Sequence, residues 1–169
     1  MATKNKAPKN KLVGALLQAR RLSYTRWSPH MVVLARIRGS VRGLGQYSQA
    51  AGIVVVPARP RPLYLLLDAE NDDVVPLTGA AAFRKAAEMP QPTRRPDVQE
   101  IPWDGLVGLI VGTFQFPEEA VKLLRETILP LFPTQRAARL GLKKVGLEER
   151  PFKRVIQRLP RVPKLARKK

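Results

Sequence analysis

From Met1 to Leu67 the chain has no aspartate and no glutamate, yet twelve lysines and arginines lie between Lys4 and Arg61. Such a segment has no internal acids to pair with, so its charges go to water, to distant carboxylates or to a partner. The last 20 residues repeat the pattern, with nine basic residues and no acid. All 13 carboxylates fall between Asp68 and Glu149, where ten basic residues face them. Both ends are cationic and the middle is nearly balanced. A net charge of +18 on 169 residues implies a polyanionic partner.

The length suits one domain with a buried core. The patterning predicts a mixed α/β (α+β) fold: a small mixed sheet packed by helices, with extended basic N- and C-terminal tails. Residues 1–30 read as a basic extension with an amphipathic helix, 31–160 as a single α/β core, and 161–169 as a basic tail.

Within the extension, "MATKNKAPKN" is too polar to order itself alone. "KLVGALLQARRLSYTRW" places Leu12, Val13, Leu16, Leu17, Tyr24 and Trp27 near one helical face, with Arg20, Arg21 and Arg26 largely off it. It should end before Pro29, because the residue ahead of a proline is pushed out of the α region. An Arg-rich, acid-poor amphipathic stretch near an N-terminus also resembles an organellar import sequence, which points to a mitochondrial location.

Met31–Ile37, Ile53–Val56 and Leu63–Leu67 read as strands, with Gly39, Gly43 and Gly45 loosening the backbone after the first. "PARPRP" is an extended connection, "DAENDD" a turn and "VVPLTG" a short edge strand. A short helix is predicted over Ala80–Glu88, and a proline-rich surface loop near 90–102. Leu106–Phe116 is the strongest buried segment. In "PEEAVKLLRETIL", Pro117 and the acids Glu118 and Glu119 suit a helix start, and Ala120, Val121, Leu124 and Ile128 form the apolar stripe. A helix over Thr134–Leu142 and another in "PFKRVIQRL", with Phe152, Val155, Ile156 and Leu159 on one face, complete the pattern.

The residues of most catalytic sites are scarce. Cysteine is absent and His30 is the single histidine, which argues against the usual catalytic triads and against His or Cys metal sites. His30 itself reads as a turn residue. The carboxylate pairs Asp72–Asp73, Glu118–Glu119 and Glu148–Glu149 fit a turn, a helix start and a connecting loop. The glycines of "GLVGLIVGTF" match neither phosphate-loop nor dinucleotide spacing. No enzyme activity, cofactor or small-molecule substrate is expected. The longest apolar run, about a dozen residues, falls well short of the roughly 20 a membrane span needs.

The basic residues remain. Lysine and arginine on flexible ends and helix faces neutralise phosphates and release counterions, and guanidinium matches phosphate bidentately. Candidate RNA-binding residues are Lys9, Lys11, Arg20, Arg21 and Arg26 at one end, and Lys153, Arg154, Arg158, Arg161, Lys164 and Arg167 at the other. Arg59 and Arg61 of the proline segment join them. In "ARIRGSVRG" a strand would turn Ala35 and Ile37 one way and Arg36 and Arg38 the other, and Gly39 and Gly43 would let the backbone approach a phosphate.

"MVVLARIRGSVRG" resembles the first strand and turn of the large-subunit ribosomal protein thirty family, in its mitochondrial form. "QRAARLGLKKVG" is similar to that family's first helix, and "ERPFKRVIQRLPRV" to its later helix. The family's blocks nearly adjoin, whereas here about ninety residues separate Gly43 from Gln135. The resemblance implies two helices on a three-stranded sheet bound to large-subunit rRNA, carried by residues 31–43 and 135–160 with the middle as an insertion. It would make Arg36, Arg38, Arg42, Lys143 and Lys144 RNA-facing. The expected function is a structural constituent of the large mitochondrial ribosomal subunit in the matrix, contacting ribosomal RNA and neighbouring ribosomal proteins. The alternative is a supernumerary or assembly subunit of another mitochondrial complex, docked on protein or anionic lipid.

Overall fold

The computed structural model describes residues 10–41, 45–68 and 71–161, and for residues 35–41 and 45–51 it describes the backbone alone. The fold is mixed α/β, with a five-stranded antiparallel sheet and six helices among the described residues. The strands are β1 (His30–Val41), β2 (Gly45–Val56), β3 (Leu63–Asp68), β4 (Asp73–Leu77) and β5 (Val98–Glu100), in the order β4-β3-β2-β1-β5. The described residues form two compact units: 10–36, 50–67 and 75–100 in the first, and 37–41, 45–49, 68, 71–74 and 101–161 in the second.

Three details depart from the sequence reading. β1 runs through Gly39 to Val41 and β2 begins at Gly45, so this pair of strands is longer than its apolar cores. The proline-rich loop contains β5, which pairs His30 with Glu100 and Val32 with Val98. Its strand character comes from an open sheet edge, because Val98, Gln99 and Glu100 alone carry no strand pattern. His30 opens β1, buried to 2 % exposure, where a turn residue was expected.

In the first unit, α1 (Lys11–Arg26) and α2 (Gly79–Glu88) lie on the sheet. Leu12, Ala15, Leu16 and Ala19 of α1 share a core with Val32, Ile53, Val55, Tyr64, Ala82 and Ala86. Val54 and Val56, which alternate with these, are also buried. β2 is therefore apolar on both faces over 53–56, which explains its unbroken hydrophobic run. A Cβ at Gly52 would collide with the Val32 carbonyl oxygen and lie 2.7 Å from Met31 Cε, so only glycine fits there.

Asn10 caps α1 by accepting from the Val13 N–H at 2.9 Å. Trp27 ends the helix in the left-handed conformation (φ 52°), with its N–H returned to the Ser23 carbonyl. Pro29 lies two residues beyond, as the termination argument requires. At the following corner His30 Nδ1 lies 3.0 Å from the Ser28 carbonyl and 3.2 Å from Ser23 Oγ. A carbonyl only accepts, so Nδ1 donates, and Ser23 is free to give its own proton to the Val55 carbonyl at 3.2 Å. His30 thus serves as a buried corner bracket and activates no serine.

The second unit contains α3 (Trp103–Thr113), α4 (Pro117–Leu123), α5 (Gln135–Lys144) and α6 (Lys153–Gln157). α4 continues through a π turn over Leu124–Ile128 and a 3-10 turn over Leu129–Leu131. Ala120, Leu124 and Ile128 are buried as the stripe required. α3 packs against α5 at Gly141, where an added Cβ would stand 2.5 Å from Val107 Cγ2 and 3.1 Å from the Asp104 carbonyl oxygen. Thr134 caps α5 by accepting from the Ala137 N–H at 3.1 Å. Gln135 then ties the segment after α6 back to α5, its backbone N–H donating to Pro160 and its side chain to Leu159. No helix among the described residues is long and apolar enough to cross a membrane.

Candidate nucleic-acid interface

α1 buries Leu12, Ala15, Leu16 and Ala19 against the sheet, while Leu17, expected on the apolar face, is 39 % exposed, and the helix's charges stay outside. Lys11, Arg20, Arg21 and Arg26 are exposed, as are Arg59 and Arg61 on the segment between β2 and β3. Their surroundings differ. Lys11 Nζ donates to the Thr93 carbonyl. Arg26 reaches Glu100 at 3.0 Å, and Ser28 Oγ donates to the other carboxylate oxygen at 2.7 Å. The Ser28 hydroxyl, ahead of Arg26, holds the Glu100 carboxyl below its ordinary value.

The guanidiniums of Arg20 and Arg59 rest on rings. Arg20 lies 5.3 Å from the Phe83 centroid, and Arg59 lies 4.9 Å from that of Trp27, within cation–π range. Phe83 meets Tyr64 edge-on at 5.9 Å, and Trp27 meets Tyr24 edge-on at 5.4 Å. Burial pushes the Tyr64 phenol up, while a hydrogen bond from Arg20 acts the other way.

Tyr24 also fastens the proline segment to α1. Its hydroxyl donates to the Ala58 carbonyl at 2.6 Å and takes the Ala58 N–H at 3.5 Å. The next peptide, Arg59–Pro60, is cis. A shallow groove lined by Arg20, Arg21, Tyr24, Thr25, Pro60 and Pro62 results. Among the described residues, no carboxylate pairs with Arg20, Arg21, Arg59 or Arg61.

The second unit carries its own cations. Lys143 and Lys144 sit at the C-terminal end of α5, where positive charge complements the helix dipole, and Lys144 is drawn to Asp104. Phe152, Ile156 and Leu159 are buried, which turns Lys153, Arg154 and Arg158 outward. Arg161 is exposed as well. Arg136 and Arg150, absent from the expected set, are equally exposed; helical spacing from Lys143 could have pointed to Arg136. Arg139 is held by Glu149 at 3.1 Å. Lys9, Arg42, Lys164 and Arg167 lie outside the described residues, as do the side chains of Arg36 and Arg38.

Among the described residues no group of three or more His, Asp or Glu could hold a metal ion. No protein-family model matches the chain, and no curated protein or solved structure is similar to it.

Proposed function

We propose that this chain is a non-catalytic RNA-binding subunit of the ribosome, in the large subunit of the mitochondrial particle. The observation that carries the reading is the state of the cations. Every candidate residue whose side chain is described is exposed, and only Arg26 and Lys144 among them pair with a carboxylate. Charge of this kind, left unmatched by the chain itself, suits the phosphates of a folded RNA. The action is architectural: basic surfaces lie between rRNA helices and reduce their mutual repulsion, and the balanced middle of the chain meets neighbouring proteins.

Sedimentation of mitochondrial lysate tests this. The chain should travel with large ribosomal subunits through low-salt washing and leave them after RNase treatment or at high salt. If six or more phosphates are engaged, affinity should drop by about a thousandfold between roughly 50 and 200 mM salt. Extraction that requires detergent and ignores RNase would instead identify a subunit of a membrane-associated complex.

A further inference from the structure

Long basic side chains on a surface are ordinarily mobile, and a ligand that orders them loses affinity to their entropy. Around the groove of the first unit that mobility is already restricted. Arg59 is seated on Trp27 and Arg20 on Phe83. A guanidinium that gives its flat face to a ring keeps in-plane N–H groups for another acceptor, and Arg20, which uses one on the Tyr64 hydroxyl, still has others. The segment bearing Arg59 and Arg61 is held to α1 by the two hydrogen bonds between Tyr24 and Ala58. Pro57, Pro60 and Pro62 further limit its backbone. Arg20 and Arg21 line the shallow groove opposite Pro60 and Pro62, and Arg59 and Arg61 are exposed on that same proline segment, on either side of Pro60 in sequence.

We infer that this groove is a preorganised seat for the phosphodiester backbone of an RNA strand, with Arg20 and Arg21 as the phosphate ligands inside it, Arg59 and Arg61 as further cations on the proline segment that bounds it, and Tyr24 as the positioning residue. The inference rests on the RNA reading above and names the place on the first unit where it operates. Guanidinium forks match phosphate and carboxylate alike. The strand is favoured because two arginines in an open groove and two more on the segment that bounds it, none paired with a carboxylate among the described residues, suit a ligand whose negative charge recurs along its length. The contact is to backbone, so it carries little sequence preference.

The test is fluorescence anisotropy of the full chain with a fluorescein-labelled RNA oligonucleotide over a range of KCl concentrations. Arg59→Lys keeps the charge but forfeits the fork and much of the ring contact, and should weaken binding roughly 3- to 10-fold. Tyr24→Phe removes the fastening and no charge, and should weaken it about 3-fold. The double variant Arg21→Ala/Arg61→Ala changes only exposed side chains. It should weaken binding at least about tenfold and lower the slope of log K against log salt by about 1.5. Lys122→Ala, which removes a charge from α4, should stay within about twofold.

If the wild type binds RNA and all the groove variants behave like Lys122→Ala, the groove is not the seat, although the RNA reading stands. If the wild type does not bind RNA at all, both fall. If poly-glutamate of equal charge displaces the RNA as well as unlabelled RNA does, the groove belongs to an acidic protein and the inference is wrong.

Discussion

The interactions of single residues divide the cations into two kinds. Exposure of Lys153, Arg154 and Arg158 follows from spacing against Phe152, Ile156 and Leu159, and was legible in the sequence. That Arg26 is held by Glu100, or Arg59 by Trp27, was not, because those partners lie 74 and 32 residues away and only folding brings them together. Glu100 has a measurable consequence. Its folded-state pKa is depressed, so its charged form adds stability above the unfolded-state value of 4.5 that is lost as the pH falls through the lowered value. Glu100→Gln should therefore lower the Tm by roughly 1–3 °C at pH 7, the range expected for an exposed pair. The difference should begin to shrink as the pH falls below 4.5 and vanish below the lowered value, as thermal unfolding followed by circular dichroism would show. A deficit that does not shrink at all as the pH is taken down from 7 through the acid range would mean the carboxylate charge is not the cause.

At the level of elements, periodicity and capping chemistry gave α1, α2 and α5 within two residues of their observed bounds, and start signals placed the beginning of α4 at Pro117, although the regular helix stops at Leu123 and a π turn carries the stripe on. β5 escaped because three residues amid prolines carry no pattern; a neighbouring edge makes them a strand. The apolar run of α3 marked burial but not helix, since continuous hydrophobicity fits either state. Close packing was likewise invisible. Gly141 lies inside a helix, where alanine would ordinarily be better by about 0.5–1 kcal/mol. Here its methyl would press on Val107 and the Asp104 carbonyl, and overpacking of this kind costs about 1–3 kcal/mol. The second effect wins: Gly141→Ala should be net destabilising in denaturant titration, with a lowered midpoint and an unchanged m-value. An unchanged or raised midpoint would show that α3 and α5 can separate without penalty.

For the whole molecule, the charge distribution was readable from the first line of sequence, whereas the division into two compact units was not: both units draw on segments far apart in the chain. The excess of +18 sets a global expectation. Self-repulsion weakens as ions screen it, so the Tm of the isolated chain should climb by several degrees between about 20 and 150 mM KCl. It should climb further when RNA is added at constant ionic strength, since a ligand that prefers the native state stabilises it. A Tm indifferent to both additions would mean that the folded chain spreads its charge at no penalty. The composition of the groove beside α1 has one more result. Guanidinium stays protonated throughout the physiological range and offers no amine to an acetyl donor. A contact built there from arginine alone would therefore keep its charge through any physiological change of pH and be blind to lysine acetylation, so that salt rather than protons or acyl groups would loosen it.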